Sequence, residues 1–125
     1  MPALSILAAA GAAVLSCTVF DGDTLRCGPE RVRLLGIDAP EIGHCRLGRQ
    51  CAPGDGRASK SSLERLVRGR QIRVQRLGRD RWGRTLAVVW AGPHNLSCAQ
   101  MAAGQAIYRQ EWDIAGRVRR CRSAR

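Results

Sequence analysis

Four of the ten acidic residues, Asp21, Asp23, Asp38 and Glu41, fall in two short segments of an otherwise basic chain. The first is Asp21-Gly22-Asp23-Thr24 and the second is Asp38-Ala39-Pro40-Glu41, each at the end of an apolar run. If those runs are neighbouring strands, both turns reach the same end of the sheet. Carboxylates at close range repel one another unless a cation lies between them. The available donors are oxygens, from Asp side chains and from the carbonyls freed where Ala39-Pro40 ends a strand, so the cation is a hard one, Ca²⁺ or Mg²⁺. A loop-built ligand set suits Ca²⁺ better than the strict octahedron of Mg²⁺. The plainer reading is turn chemistry, since Asp-Gly and Asp-x-Pro are ordinary turn residues.

Arg33 adds a second element, because it lies in a stretch dense in Val32, Leu34 and Leu35, where an unpaired guanidinium is costly to desolvate. It needs an anion, either Glu41 in a structural pair or a phosphate held by a bidentate contact. The third element is Asp80-Arg81-Trp82-Gly83-Arg84, where Arg84 could aim a second fork at the same phosphate. Arg65, Arg68, Arg70, Arg73, Arg76, Arg79 and Arg81 crowd this part of the chain, and most read as a solvated basic face that concentrates a polyanion.

The elements that must position these groups follow from patterning. Ser16 to Phe20 and Thr24 to Cys27 read as strands around an Asp-Gly turn, and Arg31 to Ile37 as a third, with apolar residues on both parities, stopped by Pro40. His44 to Gly56 is a loop. Asp55 caps a helix through Leu63, Leu66 and Val67 to Gly69. Gln71 to Leu77 and Thr85 to Ala91 are further strands, and Asn95 caps a second helix that ends at Gly104; capping is a better use of Asn95-Leu96-Ser97 than glycosylation. Strands with interspersed helices predict an α+β, mainly β fold: a small five-stranded barrel of oligonucleotide/oligosaccharide-binding (OB) type with two or three helices.

The chain has 125 residues, room for one domain, and 21 Lys plus Arg against 10 Asp plus Glu, a formal net charge of +11. Lys60 is the only lysine, so the excess is guanidinium, suited to phosphate. Aromatics are only 4% of the residues, which argues against a binder that relies on repeated base stacking. Six cysteines in so short a chain suggest three disulfides and an oxidising compartment, whereas zinc is disfavoured because no Cys-x-x-Cys pair exists and His44 and His94 form no spaced pair. Residues 1–15 are apolar from Ala3 to Leu15 but for Ser5, too short to span a bilayer and similar to the core of a secretory signal without its basic start. The domain reading is a signal segment at 1–15 and a single domain at 16–125, secreted or periplasmic, monomeric, with no stable membrane association.

Asp21-Gly22-Asp23-Thr24, then Arg33 to Glu41 (Arg-Leu-Leu-Gly-Ile-Asp-Ala-Pro-Glu), then Asp80-Arg81-Trp82-Gly83-Arg84, in that order, resemble the staphylococcal nuclease-like (thermonuclease) family from about Cys17 to Tyr108. The resemblance implies an OB-type barrel and a Ca²⁺-dependent hydrolase of phosphodiester bonds in DNA or RNA. It makes Asp23, Asp38 and the backbone carbonyl of Ala39 metal ligands and Asp21 an outer-shell carboxylate. Glu41 would activate the attacking water, and Arg33 and Arg84 would stabilise the phosphate. Arg81, Trp82 and Tyr108 would contact nucleic acid. Ala39 stands where the best-known member has Thr, Trp82 occupies a Tyr position, and Tyr108 aligns only approximately with a nucleotide-stacking Tyr. The six cysteines, absent from that member, mark a disulfide-bearing branch, with Cys17–Cys27, Cys45–Cys51 and Cys98–Cys121 as the favoured pairing. The rival functions are a non-catalytic nucleic-acid-binding module of the same fold, and a disulfide-stapled secreted interaction protein.

Overall fold

The computed structural model describes residues 14–124, so the predicted signal segment lies almost wholly outside the described residues. Its strands are β1 (Val14–Leu15), β2 (Thr18–Asp21), β3 (Thr24–Cys27), β4 (Glu30–Leu34), β5 (Ile37–Asp38), β6 (Ile72–Arg79), β7 (Thr85–Ala91), β8 (His94–Asn95) and β9 (Ile107–Tyr108). Two α-helices, α1 (Gly56–Val67) and α2 (Leu96–Ala102), and three short 3₁₀ turns after residue 109 complete it. The main sheet runs β1-β6-β7-β4-β3-β2, with β8 added on β7 and β5 paired separately with β9. β1 and β2 stand at opposite ends of that order yet are separated in the chain only by Ser16 and Cys17. One interrupted strand therefore closes the sheet on itself. Counted with β3, β4, β6 and β7, it makes the five-stranded barrel expected, and closure leaves no free edge along the ring.

Inward positions are aliphatic. Leu25, Val32, Leu34, Ala87, Val89 and Ala91 from the barrel meet Leu63 of α1 and Leu96 and Met101 of α2, all essentially without exposure. Each large aliphatic side chain removed from water is worth about 1.5–3 kcal/mol before the cost of ordering it. β6 alternates as a half-covered strand should, with Ile72 and Val74 buried and Arg73 and Gln75 exposed, whereas five of the seven residues of β7 are buried. Both helix caps form as expected. Asp55 Oδ1 accepts from Arg57 N and Ala58 N, and Asn95 Oδ1 accepts from Cys98 N at 3.2 Å.

The third strand is shorter than its apolar pattern. It ends at Leu34 because Gly36 takes φ +76°, a conformation other residues adopt poorly, and a Cβ there would stand 2.6 Å from Val118 Cγ2. The chain turns, and Ile37–Asp38 pairs with Ile107–Tyr108 instead. The disulfides are Cys17–Cys27, Cys45–Cys51 and Cys98–Cys121, the pairing named above. The last ties α2 to the tail, whose Val118 is fully buried.

A buried polar knot fixes the Asp21–Asp23 turn to the helices. Gln100 Nε2 donates to Gly22 O at 2.8 Å and to Ser59 O at 3.0 Å, while Ser62 Oγ donates to Gln100 Oε1 at 2.7 Å. The turn approaches so closely that a Cβ on Gly22 would lie 1.9 Å from Ser59 Oγ and 2.8 Å from Ala39 Cβ. No buried side-chain polar atom among the described residues lacks a partner, as native packing requires.

Candidate active site

The two acidic turns do meet at one end of the barrel. Asp23 accepts from Ala39 N through Oδ2 at 2.8 Å, which joins the β2–β3 turn to the segment after β5. They do not form one acidic cluster: among the described residues no three His, Cys, Asp or Glu side chains gather as a ligand set. Guanidinium groups are interleaved among them. Arg33 places Nη1 3.1 Å from Asp23 Oδ1 and Nη2 3.9 Å from Asp38 Oδ1, and donates from Nη2 to Ile37 O at 3.1 Å. The anion that the buried Arg33 needs is therefore Asp23 in this state, rather than Glu41 or a phosphate alone.

Asp38 is wholly buried and takes a guanidinium on each oxygen, Arg49 Nη2 on Oδ1 at 3.3 Å and Arg109 Nη2 on Oδ2 at 3.1 Å. Arg49 also stands 3.5 Å from Glu41 Oε2 and so bridges Asp38 and Glu41. Glu41 itself is exposed, with side-chain exposure of 39%. Sequence reasoning missed Arg109 because it is 71 residues from Asp38, and missed Arg49, only 11 residues away, because it sits in a cysteine loop with no spacing signal that links it to the acids. The Cys45–Cys51 bridge closes the loop that carries Arg49.

Asp21 Oδ1 accepts from Asp23 N at 3.1 Å, so the turn reading of this segment holds alongside any other role. Its carboxyl is pushed up to about 7, first by burial and then by the neighbouring charge of Asp23, with Arg33 opposing.

Arg84 and Arg33 both line one cleft of about 480 Å³, with Arg49, Trp82 and Trp112 among its other walls. Asp80 orients Arg84 by accepting from its Nε at 2.7 Å and from its backbone N at 2.9 Å, so the Asp80 to Arg84 turn presents the fork to the cleft. Those bonds hold the Asp80 carboxyl below its ordinary value against the opposing effect of burial. Arg81 lies over the Trp82 ring at 4.4 Å, and Arg33 over the Trp112 ring at 4.9 Å. Tyr108 is not part of the cleft wall. It pairs with Ile37 in β9, and its hydroxyl donates to Asp113 Oδ2 at 2.7 Å. Trp112, four residues on, does line the cleft; its only sequence signal is being an aromatic just past the aligned region.

The family model described as staphylococcal nuclease homologue matches residues 31–121. The chain belongs to this family. An uncharacterized endonuclease of Haemophilus influenzae is 37% identical over 98 residues, covering 74% of this chain and 50% of that protein. The thermonuclease of Staphylococcus intermedius is 34% identical over 88 residues, 66% of this chain and 51% of that protein. The succinoglycan biosynthesis protein ExoI of Rhizobium meliloti is 41% identical over 69 residues, 54% of this chain and 36% of that protein. The chain spans about half the length of the first two. The family match contains Arg33, Asp38, Ala39, Glu41 and Arg84, and begins beyond Asp21 and Asp23.

A divalent cation is the cofactor that the family implies. The donors fit one in kind, since Asp21, Asp23, Asp38 and the Ala39 carbonyl are all hard oxygens at the junction of the two turns.

Proposed function

We propose that the chain is a nuclease of low sequence specificity, hydrolysing phosphodiester bonds in DNA or RNA with Ca²⁺ as its metal. The observation that carries this reading is that Arg33 and Arg84, from β4 and from the turn before β7, face one cleft whose wall also contains Arg49, the bridge to Asp38 and Glu41. Asp23, Asp38 and the Ala39 carbonyl would hold the cation, with Asp21 behind them. When bound, the cation supplies fixed positive charge beside the phosphate and draws a water towards it.

The chain's own groups account for the remainder. Arg33 is 8% exposed and held by Asp23 and Ile37 O, so the N–H groups those contacts leave free would meet a phosphate with little reorganisation. Arg84, aimed by Asp80, opposes the charge that builds on the non-bridging oxygens. Glu41 is the solvent-accessible carboxylate of the set and takes the proton of the attacking water as its oxygen bonds to phosphorus; the ester P–O bond breaks and the leaving oxygen gains a proton from solvent. Trp82 and Arg81 border the path of the strand.

Three disulfides support a secreted or periplasmic site of action, with residues 1–15 as a signal and 16–125 as one domain. Among the described residues no helix is long and apolar enough to cross a membrane. The oxidised protein is taken to act as a monomer. Cleavage of single-stranded DNA, duplex DNA and RNA, measured with Ca²⁺, with Mg²⁺ and with a chelator, tests the reading. Activity that Ca²⁺ restores and the chelator abolishes is the expected result. Salt-sensitive binding without cleavage would overturn it in favour of a binding module.

A further inference from the structure

The cleft continues into a second groove of about 250 Å³ lined by Phe20, Thr24, Arg31, Arg46, Arg49, Trp82 and Arg84. Arg49, Trp82 and Arg84 belong to both, so the two form one path around the Arg84 turn. The second groove has four arginines and no acidic residue in its wall. It is therefore complementary to a polyanion.

Phe20 is the unusual member. Its phenyl is 58% exposed at a position where the strand does not pair regularly: Val19 pairs with Leu25 and Asp21 with Thr24, leaving Phe20 in a β-bulge. Bulges beside sites re-aim a side chain, and an apolar ring held in water contributes little to the core. Of the five aromatic residues, Phe20, Trp82 and Trp112 are the exposed ones, and all three line these two clefts. The low aromatic content argued against repeated stacking; it conceals that the exposed rings converge on one path.

We propose that the Phe20–Trp82 groove is a second nucleotide subsite, which takes an unstacked base and its phosphate from a single strand next to the nucleotide in the main cleft. This rests on the nucleic-acid reading of the main cleft. Phe20 offers a face to the base, Arg46 and Arg31 neutralise its phosphate, and Trp82 separates the two nucleotides. A paired, stacked duplex cannot lay a base face on Phe20 without unstacking it, so the subsite favours single strands.

The test compares binding of 5′-phosphorylated thymidine mono-, di- and tetranucleotides with Ca²⁺ by Trp fluorescence, alongside kcat and KM on single-stranded DNA, for the wild type, Phe20→Ala and Arg46→Gln. Phe20 is exposed, so its replacement leaves the core intact. Phe20→Ala should weaken the dinucleotide roughly 5- to 160-fold, the loss of one base–aromatic stack, and leave the mononucleotide unchanged. It should raise KM for single strands at constant kcat. Arg46→Gln should lower the salt dependence of dinucleotide binding by about one phosphate contact. Equal dinucleotide affinity for wild type and Phe20→Ala, or no gain from one nucleotide to two in the wild type, would overturn the subsite even if cleavage persists. Loss of cleavage with the Phe20 dependence of binding intact would instead strike the nuclease reading and spare the subsite.

Discussion

Replacing Arg49 by Gln isolates the cation question from catalysis. Arg49 lies between Asp38 and Glu41, at 3.3 and 3.5 Å, so under the proposed function it would compete with a cation for the Asp38 carboxylate. A charge-assisted hydrogen bond to a buried carboxylate contributes about 1.5–3 kcal/mol when well formed. This one is long and Arg49 is 41% exposed, so solvent screening reduces it to about 1–2 kcal/mol. The Glu41 pair, exposed on both sides, adds roughly 0–0.5 kcal/mol. Removing that competitor should tighten Ca²⁺ binding roughly 5- to 70-fold. Calorimetric titration of the oxidised protein with Ca²⁺, without nucleic acid, measures it directly. Arg46→Gln removes the same charge from the same loop, where among the described residues Arg46 has no carboxylate partner, and should change the affinity by no more than about twofold. Refutation would be an Arg49→Gln affinity equal to wild type, or an equal gain from Arg46→Gln, which would make the effect one of net charge.

Glu41→Gln and Arg84→Ala should each lower kcat on single-stranded DNA by on the order of a hundredfold or more while near-ultraviolet circular dichroism stays native; wild-type turnover in both would end the proposed mechanism. Gly22→Ala should destabilise the fold by about 1–3 kcal/mol in denaturant titration, because its Cβ would press into Ser59 and Ala39. Glu30 accepts both Arg76 Nε and Nη2 and the Thr85 hydroxyl, and the Arg76 hydrogen bonds are the main cause holding its carboxyl at about 2 from an ordinary 4.5. A depressed carboxylate stabilises the fold fully above its unfolded value, so that stability is lost as pH falls from about 4.5 towards 2, and Glu30→Gln should flatten the melting temperature over that window. Opening the Cys98–Cys121 bridge, which closes a separation of 23 residues, by a double Ala replacement should cost about 3 kcal/mol and release the tail from α2 first, seen as new hydrogen exchange around Val118.

Local chemistry made much of this protein legible from its residues. Asp55 and Asn95 cap helices because their short oxygens reach the next free N–H groups, and Thr85 to Ala91 is a strand because an apolar run of that length suits a covered sheet position. The three ordered motifs pointed to the family because each is short, contiguous and chemically unusual. What they could not convey is which charges face which. Leu35 and Ile37 look like a continuing strand, but the chain turns at Gly36 with φ +76°, where Val118, some eighty residues later, leaves no room for a side chain. The partners of Asp38, Arg49 and Arg109, arrive from a disulfide loop and from beyond β9, and Trp112, not Tyr108, joins Trp82 in the cleft wall. Backbone propensity acts over a few residues and is written into them, whereas ion pairing and exposure depend on distances that exist only once the barrel has closed.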